Sequence, residues 1–203
     1  MTLKNISLVI AAALLPNLAQ AQFNLAPGTY QLANGATGAA SLKLVPAEAG
    51  NPTTVVGVKN GREHTFRSSE MSAFTIGQQR FVQAKEFRFR GGADVGFTDP
   101  ALLEVLATGA VELYYYYYQV EMGTNFRAHV KLSVLRKPGT NAYLAYTPGR
   151  TPGFDAKLGA GTFVAVLFPA DPVLQRLFAT NAITRAQLPD VVRAYNRGVR
   201  IKP

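Results

Sequence analysis

Hydrophobic and polar residues alternate along most of the chain, and this period of two is typical of β-strands with one buried face. The alternation is clearest in TTVVGVKNGREHTF, which has Asn60 and Gly61 between two runs rich in β-branched and aromatic residues. These two turn residues can adopt the positive φ angles of a type I′ turn. We therefore predict a two-stranded hairpin in which Val55 faces Phe66.

Shorter stretches of the same alternation predict further strands and turns. In AHVKLSVLRK, residues 128–137, the apolar residues alternate with Lys131 and Ser133. A second, looser hairpin is predicted to turn near Gly77, and one helical turn is predicted at residues 68–72 with a serine as its cap. The other predicted strands are residues 28–33, 41–45, 85–90, 111–118 and 142–147.

The period changes after residue 98. Asp99 is a good helix cap, Pro100 fits the first helical position, and Gly109 suits the left-handed residue beyond a helix end. These signals predict a short helix over residues 100–107. The even spread of its leucine and valine residues also fits a strand, which is the alternative prediction.

The C-terminal part has helical spacing. Asp171 and Pro172 repeat the cap-and-proline device, and Thr184 and Gln187 have the spacing of a capping box. Pro189 conflicts with a helix that starts at Thr184, so either the first turn is irregular or the final helix begins at Pro189, and we favour the second. Its apolar stripe is Leu188, Val191, Val192 and Tyr195. Together these patterns predict an α+β fold, a mostly antiparallel β meander or half-barrel with two or three short C-terminal helices.

The N-terminal residues have the layout of a secretory signal. Lys4 precedes the apolar run 6–15, and Ala19-Gln20-Ala21 offers the small residues that a signal peptidase recognises. The apolar run is too short to span a bilayer, and a buried helix would not explain the Ala-x-Ala site. We expect residues 1–21 to be a signal peptide and 22–203 a single globular domain, with 22–155 mainly β and 156–203 mainly helical.

Composition limits the function classes. The chain has no cysteine, which excludes thiolate metal sites and thiol nucleophiles, and no later run is apolar enough to predict a transmembrane helix in the mature chain. Its net charge is +9. For an exported protein in the periplasm, outer envelope or extracellular space, this charge favours anionic envelope polymers or lipids over nucleic acid as partners. Solubility alone is the competing explanation.

The residues that could perform chemistry are few. His64 and His129 lie on separate predicted strands without metal-ligand spacing, and no serine lies in a nucleophile motif, so we expect no metal and no cofactor. One enzymatic alternative is a glycan hydrolase using Glu104 and Glu112, which a tight turn at Gly109 could set side by side. A small outer-membrane barrel is disfavoured because the C-terminal third is helical.

Five consecutive tyrosines occupy positions 114–118. As a strand, this run places Tyr114, Tyr116 and Tyr118 on one face, and the opposite face is also aromatic. Aromatic residues on both faces indicate a central strand covered on both sides. We therefore favour a packing role, while an aromatic surface for a sugar or peptide remains the alternative.

The C-terminal end is the densest basic stretch. A solvated tail would explain its charge, and contact with an anionic surface is the functional alternative. The residues concerned are Arg193, Arg197, Arg200 and Lys202. With the missing catalytic motifs, these features predict an exported envelope or surface protein that acts as a non-catalytic binding module.

Three segments resemble a family of small exported bacterial proteins of unknown function. They are the hairpin region KNGREHTFRSSEMSAFTIGQQRF, the Gly-x-x-x-Leu-Tyr strand in ATGAVELYYYY, and VVRAYN, in which the last helix ends at Tyr195-Asn196. The resemblance implies a single exported domain with a β-rich body and C-terminal helices. It implies no catalytic residues.

Overall fold

The computed structural model describes residues 23–48, 52–85, 87, 89–90, 96–97, 100–121, 127–141, 143–146 and 160–199. The predicted signal peptide, residues 1–21, lies outside the described residues. Two of the predicted surface cations, Arg200 and Lys202, lie outside them as well.

Twelve strands, one 3₁₀ turn and three helices are formed by the described residues. The strands are β1 (Ala26–Leu32), β2 (Thr37–Val45), β3 (Thr54–Lys59), β4 (Arg62–Arg67), β5 (Met71–Ile76), β6 (Gln79–Ala84), β7 (Phe89–Arg90), β8 (Gly96–Phe97), β9 (Ala101–Ala107), β10 (Glu112–Glu121), β11 (Arg127–Arg136) and β12 (Tyr143–Tyr146). The helices are α1 (Ala160–Leu167), α2 (Pro172–Ala179) and α3 (Leu188–Asn196).

Ten of these strands form one antiparallel sheet in the order β12-β11-β10-β9-β6-β5-β1-β2-β3-β4, and β7 pairs with β8. Neighbours in the large sheet are mostly consecutive along the chain, as in a meander. The three helices follow all of the described strands. The predicted α+β fold, with a mostly antiparallel sheet and short C-terminal helices, is confirmed.

The hairpin predicted from its Asn-Gly turn is present. Asn60 and Gly61 have φ angles of 51° and 73°, and Val55 faces Phe66 across β3 and β4. The second hairpin turns at Gly77, where φ is 57°, and joins β5 to β6. The tight turns were readable from sequence because only a few residue types tolerate a positive φ.

The helix predicted over residues 100–107 is wrong, because this segment is strand β9. It lies between β6 and β10, and Leu103 pairs with Val82 on one side and with Tyr116 on the other. Leu102 and Leu103 point to opposite faces and both have no exposed surface. Burial of both faces removes the alternation that would have identified a strand, and pairing with two neighbours overrides the helix-capping signal at Asp99 and Pro100.

The ends of the helical elements follow local hydrogen bonding. Asp171 accepts a bond from the backbone N–H of Leu174 at 2.9 Å, so the predicted cap of α2 is confirmed. Helix α3 begins one residue before the predicted Pro189. Arg67, and not a serine as predicted, is the cap residue of the 3₁₀ turn Ser68–Glu70. The Arg67 backbone N–H donates to the Glu70 carboxylate at 2.6 Å.

The sheet curls along its length. Ala47, just beyond β2, forms a parallel bridge with Tyr118, and its backbone hydrogen-bonds the β10 residues Tyr117 and Gln119. The curl encloses one apolar cluster, built mainly from β2–β6. The C-terminal helices pack beside β9–β12 and form a second cluster, and a third cluster includes Phe87 and Ala47 against the tyrosine strand.

Asn196, the last residue of α3, joins that helix to the turn between β9 and β10. Its side-chain amide donates to the carbonyls of Thr108 at 3.2 Å and Val111 at 2.7 Å, and its oxygen accepts from the Val111 N–H at 2.9 Å. A Cβ at Gly109 would lie 2.6 Å from the Asn196 Cγ. The turn at Gly109 and the end of α3 are therefore in direct contact.

Candidate functional site

The tyrosine run lies on β10, between β9 and β11, and both of its faces are covered. Tyr114 and Tyr116 are 3% and 2% exposed, whereas Tyr118 is half-buried. The Phe87 ring packs on Tyr116 with 5.0 Å between ring centroids. A ligand surface made of Tyr114, Tyr116 and Tyr118 would require this cover to move, so the arrangement supports the packing role.

The two carboxylates considered for hydrolysis lie on opposite faces of the sheet. Glu104 pairs with Tyr115, and Glu112 is three residues from Tyr115 on the same strand, which turns it to the other face. Glu112 forms an ion pair with Arg136 at 2.6 Å. The side-by-side arrangement on which the hydrolase alternative depended is therefore absent. The physical reason is the register of β9 against β10, which pairs Glu104 with Tyr115 and not with Glu112.

Arg136 organises the face that carries Glu112. Its guanidinium donates to the Tyr143 hydroxyl at 2.9 Å and to the Tyr114 hydroxyl at 3.0 Å, in addition to the Glu112 carboxylate. Three hydrogen bonds hold this half-buried group in one position, and its charge is compensated. This cluster is suited to structural support of the tyrosine strand.

Glu104 lies on the other face and is 7% exposed. Its carboxylate accepts a short hydrogen bond from the Tyr117 hydroxyl and another from the Gln79 side-chain amide at 3.0 Å. Burial, and then the negative charge of Glu104, raise the pKa of Tyr117. The pair is thus a protonated phenol that donates to a buried carboxylate.

Lys131 lies beside this pair on β11. The register places it opposite Tyr117, and its ammonium lies 4.3 Å from the centre of the Tyr115 ring and 5.8 Å from that of Tyr117. A cation over an aromatic face is attracted by the ring quadrupole. Burial lowers the pKa of Lys131; the Glu104 charge opposes this shift and the Arg185 charge adds to it.

The turn before α3 brings Arg185 to the same area. The Tyr146 hydroxyl donates to the Ile183 carbonyl at 2.7 Å, which holds the chain two residues before Arg185 against β12. Tyr146 in turn pairs with Ser133 of β11. The charge of Arg185 acts on both Tyr115 and Lys131, and the Arg185 side chain is exposed.

Ser133 lies two residues from Lys131 on the same face of β11 and opposite Tyr115. It has no exposed surface, and its hydroxyl has no hydrogen-bond partner among the described residues. Buried hydroxyl groups are almost always hydrogen-bonded. We refer to Tyr115, Lys131, Ser133 and Arg185 together as the Lys131 cluster.

The predicted basic surface lies partly on the exposed side of α3. Arg193 forms an ion pair with Asp190 at 3.2 Å and donates to the Leu106 carbonyl at 3.2 Å, yet 48% of its side chain remains exposed. Arg197 is exposed at the end of the helix. Leu188 and Val192, on the other side of α3, have no exposed surface. Helix α3 is therefore amphipathic, with a basic outer side.

The two histidines pack separately, each against an aromatic ring. His64 packs against Phe66, and His129 contacts Gln119 through a 2.6 Å hydrogen bond and the Phe23 ring. Among the described residues, no group of three or more histidine, aspartate or glutamate side chains could hold a metal ion. None of the described helices has the length and apolar content required to cross a membrane.

The tyrosines and the C-terminal arginines stand out in the sequence, whereas Arg185 and Lys131 do not. Alternation along β11 placed Lys131 and Ser133 on one face, yet it carried no signal that the C-terminal segment lies near that face. Arg185 follows the Ile183-Thr184 turn and looked like an ordinary exposed residue. No protein-family model, curated protein or solved structure matches this chain.

Proposed function

We propose that this chain is an exported binding module without catalytic activity, which attaches to anionic polymers or lipids of the cell envelope through the outer side of α3. The observation that carries the proposal is the exposure of Arg193 and Arg197 on the side of α3 opposite its buried stripe. Because the tyrosine rings are covered, the positive charge is the feature of this region that is available for recognition.

The charge balance of the helical region supports this proposal. Residues 160–199 contain four arginines and two acidic residues, Asp171 and Asp190. Asp171 is used in capping α2, and Asp190 is paired with Arg193. Arg197 has no described acidic residue within ion-pair distance. Basic side chains near an anionic lipid surface contribute about 1 kcal/mol each, so several arginines suffice for reversible attachment.

The test is sedimentation of the mature chain with vesicles that contain anionic phosphatidylglycerol, and with a soluble poly(glycerol phosphate). Binding is expected at 0.01 M salt and should weaken towards 0.15 M, because the Debye length falls from about 30 Å to about 8 Å. Replacing both Arg193 and Arg197 by glutamine should weaken binding about 30-fold at low salt, from a loss of about 2 kcal/mol.

The matched control removes the same charge at the distant β3–β4 turn, where Lys59 and Arg62 are also exposed. The Lys59→Gln and Arg62→Gln double variant has the same net charge as the α3 variant. It should bind nearly as well as the unmodified chain. Equal weakening of both variants would mean that net charge alone drives binding, and binding that ignores salt would exclude attachment by charge.

A further inference from the structure

The Lys131 ammonium is an unusual cation for a half-buried position. It lies over the Tyr115 ring at 4.3 Å, and no described acidic residue lies within ion-pair distance of it. The nearby carboxylate, Glu104, already accepts hydrogen bonds from Tyr117 and Gln79. The ring partly compensates the charge of Lys131 and leaves its three N–H donors available.

Two further donors belong to the same cluster, since the charge of Arg185 acts on Lys131 and Ser133 follows Lys131 on the same face of β11. Arg185 is exposed, and no described acidic residue lies within ion-pair distance of its guanidinium either. The Ser133 hydroxyl is fully buried on the same face of β11 and has no described partner. Within the described residues, these two cations and the buried hydroxyl form a set of donors without an acceptor.

We propose that the Lys131 cluster is a binding site for one phosphate ester group, with Lys131 and Arg185 contacting its oxygens and Tyr115 forming one wall. A phosphate ester has several charged acceptor oxygens, and so it can accept from an ammonium and a guanidinium at once. The inference rests on the proposed function, since it names the chemical group of the anionic partner that is recognised.

Binding of inorganic phosphate and of glycerol 3-phosphate to the mature chain tests this site, measured by calorimetry at constant ionic strength adjusted with chloride. The variant is Lys131→Met, which keeps an unbranched side chain for packing on Tyr115 and removes the charge. Loss of a charge-assisted hydrogen bond should weaken phosphate binding about tenfold to hundredfold. Lys137→Met, at an exposed lysine just beyond β11, is the control and should bind as the unmodified chain does.

Arg185→Gln provides a second test at an exposed turn position, where folding does not depend on the side chain. It should also weaken phosphate binding, and it keeps the inference testable if the Lys131 variant fails to fold. Phosphate binding no tighter than chloride binding, or equal affinities in the unmodified chain and in both variants, would overturn the site.

Phosphatidylglycerol vesicles and poly(glycerol phosphate) distinguish a lipid head group from a polymer phosphate as the group that is bound. If Lys131→Met weakens vesicle binding as well as phosphate binding, the site takes lipid head groups; if it weakens only phosphate and the polymer, the site takes a polymer phosphate. If the α3 arginines matter for vesicles but phosphate does not bind at Lys131, the attachment function stands without this site. If phosphate binds at Lys131 and the α3 variant behaves as the unmodified chain, the site stands without attachment through α3.

Discussion

Asn196 allows a stringent test of the packing between the C-terminal helix and the sheet. Its side chain makes three hydrogen bonds of 2.7–3.2 Å to the turn between β9 and β10. Two of them use the backbone of Val111, which has no exposed surface. At about 1 kcal/mol per bond, less about 0.6 kcal/mol gained from the better helix propensity of alanine, Asn196→Ala should lower the free energy of unfolding by about 2–3 kcal/mol.

At neutral pH, Asn196→Asp should lower the free energy of unfolding more than Asn196→Ala does. The carboxylate can still accept from the Val111 N–H, but it cannot donate, and it would face the carbonyl oxygens of Thr108 and Val111. Protonation restores one donor, so the pKa of the introduced carboxyl should be raised in the folded state above its ordinary value of about 3.9. Stability relative to the unmodified chain should therefore recover as the pH falls through the folded-state pKa, and be lost again as the pH rises.

Urea denaturation at pH 7.5 and pH 5 measures this difference directly. The gap between Asn196→Asp and the unmodified chain should narrow by about 1 kcal/mol at pH 5, which corresponds to a folded-state pKa about two units above the ordinary value of about 3.9. Asn34→Asp is the control, because Asn34 is exposed and only accepts from the Ala36 N–H, at 3.0 Å, as an aspartate also can. An alanine loss below 0.5 kcal/mol, or a gap that ignores pH, would refute the assigned role.

Two other predictions concern the sheet. Burial raises the pKa of five phenols, whose protons the unfolded chain would release near pH 10, so stability should fall above that pH, by at most about 1.4 kcal/mol per pH unit for each phenol. Constant stability between pH 9.5 and 11 in denaturant titrations would contradict this. Gly28→Ala should destabilise by about 2–3 kcal/mol, since its Cβ would lie 2.1 Å from the Thr75 carbonyl oxygen. Gly57→Ala should lower the free energy of unfolding less in the same urea titrations, because the nearest atom to its Cβ is on the Phe66 ring at 3.0 Å.

Local signals predicted the parts of the fold that depend on neighbouring residues. The Asn60-Gly61 turn needs positive φ angles that few residues adopt, and the cap at Asp171 needs only the N–H of Leu174, three residues away. The strand β9 was missed because its identity depends on pairing with β6 and β10. Those partners are distant in sequence, and burial on both faces left no alternation to reveal them.

The candidate site was hard to predict for a related reason. Alternation along β11 correctly put Lys131 and Ser133 on one face, and a polar residue in such a pattern is usually expected to face water. The structure brings the turn that contains Ile183 against β12, so this face is covered and Ser133 is fully buried. The contact between Tyr146 and Ile183, which are 37 residues apart, has no periodic signature, and the effect of the Arg185 charge on Lys131 has none either.

The position of Lys131 argues for recognition and against a purely structural role. An ammonium that is half-buried loses hydration, and the Tyr115 ring with the charge of Glu104 only partly replaces it. Leucine or methionine at this position would pack on the same two tyrosine rings without that penalty. Arg136, on the other face, is a contrast, because its three side-chain partners compensate its charge fully within the protein. Lys131 lacks such partners, and an anion from outside is the component that would complete its surroundings.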